Sequence, residues 1–347
     1  MKFSELTNRT NLLWPGTFSV ALIISIFFSW AYWQNAQPSY IPSIQPIDFA
    51  KATEPITPIP LNMRGLDQDK VKLGYRLFND TMLSGNGSVS CATCHALETG
   101  GTDNYMHPAG MDQDSGLINT LSVFNCGFNF RQFWNGRSAT LEEQINEPFA
   151  HPLEMDSNWD QIVAKLQIDR SYLSAFSASY ADGITPNNIR NAIATYERSL
   201  ITPNARFDKY LRGDKQAITA EELAGYNLFK SYGCINCHQG VNVGGNMYEK
   251  LGIMLDYFND EKVIQQSDMG RYAISHDPEH MHEFKVPGLR NVALTAPYFH
   301  DGSADTLDQA VGIMGKYQLG LDLPKADITR ITAFLKSLTG EYNGKPL

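Results

Sequence analysis

The chain has 347 residues, room for two ordinary domains with sizeable interiors. Hydrophobic residues make up 43% and charged residues 19%, which excludes wholesale disorder. A net charge of −9, from 28 basic against 37 acidic residues, excludes a protein whose main partner is nucleic acid.

Near the N-terminus, Lys2 and Arg9 precede an uncharged run at 17–33 that closes on Trp30, Tyr32 and Trp33. At about 17 residues the run exceeds a usual signal-peptide core and approaches the lower limit of a membrane span. Its closing aromatics suit a headgroup interface. No Lys or Arg follows until Lys51, so the positive-inside bias leaves the N-terminus in the cytoplasm and exports the body. The sequence predicts a signal-anchor over 1–37. Cleavage after the small-x-small triplet Ser29-Trp30-Ala31 is the alternative, and it exports the same body. Residues 34–60 hold six prolines and no helical period, so 38–60 reads as an extended tether.

Two motifs then carry the chemistry. Cys91-Ala-Thr-Cys94-His95 and Cys234-Ile-Asn-Cys237-His238 are both Cys-x-x-Cys-His. Two thiols three positions apart on a helical turn can each form a thioether to a haem vinyl. The adjacent histidine then meets the iron as its proximal ligand. A thioredoxin-like motif would need a βαβ context, and a Cys₄ zinc site pairs knuckles about 15–20 residues apart rather than 143. Both sites are therefore expected to carry covalent haem c. An odd count of five cysteines cannot all pair internally, and Cys126 reads as a small buried hydrophobe.

The neighbourhood repeats too. Gly74-Tyr75-Arg76-Leu77-Phe78 precedes the first motif and Gly225-Tyr226-Asn227-Leu228-Phe229 the second, where Thr219-x-x-Glu222 forms a capping box. Ile189, Ile193, Tyr196 and Leu200 make one helical stripe; Ile328, Ile331, Phe334, Leu335 and Leu338 make another, closed by Gly340. The expected fold is mainly α. Two cytochrome c-like haem domains, 61–204 and 205–335, pack against each other behind an N-terminal anchor helix, with 336–347 returning to the first. His276, His280 and His282 read as a solvated loop rather than a chelate, since no carboxylate pattern specifies a geometry.

Longer stretches resemble the bacterial di-haem cytochrome c peroxidases and their relatives. They are SCATCHALETGGTD (90–103), FNFRQFWNGRSATLEEQ (128–144), PLEM (152–155), IATYERSLITPNARFDKYLRGD (193–214) and FKVPGLRNVALTAPYFHDGSADTLDQAV (284–311). The resemblance implies a peroxidatic haem on His95 and an electron-transferring haem on His238. Met314, otherwise a core methionine on a helix at 306–318, stands where the family places the sixth ligand of the second iron. A thioether opposite histidine raises the potential. Trp134 matches the tryptophan between the haems, and Glu154 the acid that moves the proton during O–O cleavage. Gln144 matches its hydrogen-bonding neighbour. Asn119, Thr295 and Pro297 match an inter-domain calcium site built from oxygens.

One departure stands out. At the place of the family's distal histidine this chain has Met111, with His107 four residues earlier. The first iron is then open, capped weakly by Met111, or reached by His107. The resemblance implies reduction of hydrogen peroxide; with the N-terminal run, it points to a periplasmic protein anchored to the inner membrane, or released into the periplasm after cleavage. The electron donor is a cytochrome c, a copper protein or quinol, and a homodimer is compatible. Rival readings are a di-haem oxidase or maturase acting on another protein or organic substrate, and an electron carrier without peroxide chemistry.

Overall fold

Helix α1 (Gln68–Asn79) is the first long element of the computed structural model, which describes residues 54–106, 118–259 and 263–347. The expected anchor at 17–33, His107 and Met111 lie outside the described residues. Among the described residues, no helix is long and apolar enough to cross a membrane.

Asp67 opens α1 by accepting from the amides of Asp69 and Lys70 at 2.9 and 3.2 Å. Helices α2 (Trp159–Ile168) and α3 (Arg170–Ser179) follow, capped by Asn158 and Asp169. Helix α4 (Pro186–Ser199) starts at a Thr185 cap with Pro186 in its first turn. Its stripe of Ile189, Ile193, Tyr196 and Leu200 is buried. Helix α4 packs on α1 so closely that a Cβ on Gly74 would lie 2.0 Å from the Ala192 carbonyl oxygen.

The same pairing recurs downstream in α5 (Ala220–Ser231), α6 (Leu307–Ile313) and α7 (Lys325–Lys336). The expected capping box is formed: the Glu222 amide donates to Thr219 Oγ1 at 3.2 Å, and the Thr219 amide to Glu222 Oε2 at 2.8 Å. Gly225 meets the Arg330 carbonyl of α7 as Gly74 meets Ala192. The helix expected over 306–318 is α6 followed by a π-turn, Met314–Gln318. Strands are short: β1 (Tyr248–Lys250) pairs antiparallel with β2 (Glu283–Lys285), and β3 (Glu341–Tyr342) with β4 (Lys345–Pro346).

Two apolar cores result. One gathers residues between Leu73 and Leu200. The other gathers residues between Phe207 and Leu338, with Phe207 edge-on to Tyr226 and Phe334 at 4.7 and 5.0 Å. Each end of the described chain crosses over. Ile56 belongs to the second core and bridges to Gly240, while Tyr342 and Leu347 pack on the first. The last residues of the Pro-rich tether are thus extended but pinned.

A second repeat sets the junction between the cores. Asn125 and Asn291 both adopt left-handed backbone (φ 61° and 60°) and both donate to Thr202 Oγ1, at 2.8 and 3.0 Å. Phe133 and Phe299 match at φ 67° and 69°. The bridges Gln132↔Ser138 and Tyr298↔Ala304 close matching loops. Trp134 and His300 therefore hold corresponding places, and their rings meet edge-to-face at 6.3 Å.

Candidate functional site

The first motif forms one helical turn, Cys91–Cys94, opened by Ser90 and Thr93 through a 2.9 Å bond from the Ser90 amide to Thr93 Oγ1. The His95 amide closes it on the Cys91 carbonyl at 3.0 Å. Both thiols are half-buried, and burial pushes each up to about 12, so they are neutral S–H groups. His95 Nδ1 sits 3.3 Å from the Gly101 carbonyl oxygen, which fixes the ring and leaves Nε2 for a ligand. Burial pushes the imidazole below its ordinary range, keeping it neutral.

The second motif is a tighter turn, Cys234–Asn236, entered through Gly233 at φ 87°. The His238 amide bonds to the Cys234 carbonyl at 3.0 Å. Burial pushes Cys234 up to about 11 and His238 down to about 4, the latter opposed by the backbone at Val243 and Pro287. Gly244 (φ 126°) makes that approach possible, because a Cβ there would lie 2.3 Å from the Pro287 oxygen. These donors fit a c-type haem at each motif: paired thiols on one turn, then a buried neutral histidine. Nor do the two motifs merge into a metal centre. Among the described residues, the one group of three His, Cys or acidic ligands is Asp268, His300 and Asp301.

Glu154 follows the first module's short helices in a turn whose amide bonds to the His151 carbonyl at 3.1 Å. Its side chain is 43% exposed and lies 3.7 Å from His151 Nδ1. Partial burial pushes the carboxyl above its ordinary range, His151 and Arg137 pull it down, and Glu147 pushes it up. Its charge also helps to raise the Cys94 thiol. Gln144 ends the helix Leu141–Gln144, capped by Thr140, on the same segment.

Trp134 Nε1 donates to the Asn119 carbonyl at 2.9 Å, and the Asn119 amide donates to the His300 carbonyl at 2.7 Å. Asn119 is thereby drawn to the stretch that holds Thr295 and the cis Ala296-Pro297 bond. Met314 begins the π-turn, a distortion frequent at functional positions. The flanking Ile313, Lys316 and Tyr317 line a cavity of about 420 Å³. Cys126 lies in the first core. His282 stacks on Phe258 at 3.8 Å and bonds to the Asp268 carbonyl, so it is half-buried; His280 is half-buried as well, with Nδ1 2.9 Å from Ser275 Oγ, and His276 faces solvent.

A profile described as di-haem cytochrome c peroxidase matches residues 68–216. The cytochrome c peroxidase Ccp of Escherichia coli is 46% identical over 83% of this chain, which spans 62% of that protein. Cytochrome c551 peroxidase of Nitrosomonas europaea is 42% identical, over 84% of this chain and 85% of that one. The crystal structure of a MauG-like protein associated with microbial copper homeostasis superposes with a TM-score of 0.72 at 29% identity, covering 85% of this chain and 95% of the other. The chain belongs to the di-haem cytochrome c peroxidase family. Its relatives are oxidoreductases acting on hydrogen peroxide, and the family carries two haems.

Within this peroxidase, several residues had no part in the sequence reading. His151, Arg137 and Glu147 surround Glu154; the His-x-x-Glu spacing at 151–154 is the signal for the first. Asp103 and Glu197 lie near the first motif, where their charges raise Cys94 and Cys91. Glu197 is buried with no partner on Oε2, and burial pushes it up to about 8.

Proposed function

We propose that this chain reduces hydrogen peroxide to two waters; Cys91, Cys94 and His95 would hold the haem that supplies the peroxide-reactive iron, and Cys234, Cys237, His238 and Met314 the haem that supplies electrons. The reading is supported above all by Glu154, an acid close enough to the first motif for its charge to act on Cys94. When bound, the haems supply redox-active iron. The chain's own residues supply the rest. Glu154 takes the proton from the near peroxide oxygen and returns it to the leaving one, and Gln144 donates a hydrogen bond. His95 and His238 stay neutral through burial, the form in which each would bind a haem iron. Trp134 spans the junction between the cores and serves the electron path. The Asn119 side-chain carbonyl, with the backbone carbonyls of Thr295 and Pro297, would hold calcium.

Each turnover consumes two electrons and two protons. A small periplasmic donor, a cytochrome c, a copper protein or quinol, supplies the electrons, and the acidic chain favours a basic docking face. The segment at 17–33 anchors the protein to the inner membrane or exports it after cleavage, and a homodimer is compatible. Met111 or His107 would be a further ligand of the first iron, or neither would hold it; we take neither to hold it. Stopped-flow addition of hydrogen peroxide to the ferric full chain tests the proposal. The haem absorption should shift within milliseconds to seconds without prior reduction; absorption unmoved by excess peroxide would overturn it.

A further inference from the structure

The two repeats treat their junction unequally. Asn119 and Lys285 hold corresponding places: each amide donates to the carbonyl of the other repeat's aromatic, Asn119 to His300 at 2.7 Å and Lys285 to Trp134 at 2.8 Å. Two residues on, the backbone at Leu121 faces His95 and that at Pro287 faces His238. Where the first repeat places a buried neutral carboxamide, the second places an ammonium. Lys285 is 2% exposed. Among the described residues no carboxylate pairs with it; the titratable neighbour that acts on it is Cys126, a thiol kept neutral by burial.

An ammonium taken out of water without a counter-ion is costly, and proteins do not keep one unpaired without a reason. Burial alone already pushes Lys285 down to about 8, so the fold strains toward losing the charge. Each haem brings a pair of propionate carboxylates, anions that the polypeptide itself lacks at this place. We infer that Lys285 is a built-in cation that pairs with a haem propionate at the junction, the counterpart in the second repeat of the ion held beside Asn119 in the first. The inference rests on the two-haem reading. A fixed positive charge beside a haem stabilises its reduced state, so Lys285 acts as a positioning and tuning residue and takes no part in bond breaking.

Lys285→Met and Lys285→Arg in the full-chain holoprotein test it, read by haem content, resonance Raman bands of the propionates and spectroelectrochemical midpoint potentials. Wild type with fewer than two haems overturns the di-haem reading itself. With two haems bound, Lys285→Met should move a propionate-bending band and lower the midpoint potential of one haem, and Lys285→Arg should restore the potential. Bands and potentials unchanged in Lys285→Met overturn the inference while leaving the di-haem reading intact. If Lys285→Met does not accumulate, Lys285→Arg decides alone: it keeps the charge but relocates its hydrogen bonds, so a shifted band supports the pairing and an unshifted one overturns it.

Discussion

Glu154 shows how one side chain acquires a working pKa. Its carboxyl is pushed up by partial burial and by Glu147, and held down by His151 and Arg137. A base must be ionised to accept the peroxide proton, so kcat/KM falls as pH drops through the Glu154 pKa. The raised value places that acid limb above the ordinary carboxylate range. Arg137→Gln removes a cation and releases Glu147 from its 2.5 Å ion pair, and both changes push Glu154 further up. The limb should therefore move to higher pH in a kcat/KM profile; a limb that stays or moves down contradicts the assignment. Glu154→Gln should abolish the limb and slow peroxide reduction by about 10²-fold or more, and a loss of only a few-fold would remove Glu154 from the mechanism. The sequence displayed Glu154 through its resemblance, in PLEM. It did not display the pull of Arg137, because that depends on how the chain folds between 137 and 154.

The helices were legible in the sequence because their signals are local. The stripe on α4, the Thr219 capping box and the repeated Gly-Tyr-x-Leu-Phe all read directly from spacing. The reason for the repeated glycine was not legible, since it lies in the helix that each copy meets. Gly225 has the α7 backbone where a side chain would go, with the Arg330 oxygen 1.8 Å from an added Cβ. Alanine in an exposed helix gains about 1 kcal/mol over glycine. Here the sign reverses. Gly225→Ala must separate α5 from α7, and overpacking of this kind costs about 1–3 kcal/mol or more. Chemical denaturation of the holoprotein should show a lower midpoint for Gly225→Ala. A midpoint at or above wild type would mean that the helices part without cost. The π-turn at Met314 was equally hidden: Gly315 lies inside it, but a lone glycine in a helical pattern does not announce a π-turn.

At the scale of the whole molecule, the second repeat escaped the sequence reading because its two copies diverge where their tasks diverge. Trp134 faces His300, and Asn119 matches Lys285; what survives is backbone geometry at Asn125, Asn291, Phe133 and Phe299. The strap at 54–60 escaped too, since prolines announce an extended chain but not what it lies on. Its attachment centres on a buried ion pair, Arg290 with Asp208 at 2.7 Å, both side chains at most 1% exposed. Arg290 also donates to the carbonyls of Thr57 and Val241 at 2.9 and 3.0 Å, and Asp208 accepts from the Ile59 amide at 3.3 Å. Removing one partner of such a pair leaves the other charge buried and uncompensated, a loss of about 3–5 kcal/mol. Asp208→Asn should therefore lower the unfolding midpoint of the second core and release the strap, so that limited proteolysis cuts between 51 and 60 before it cuts the helices. Equal protection of that segment in Asp208→Asn and wild type would show that Ile56 and Ile59, rather than the ion pair, hold the strap in place.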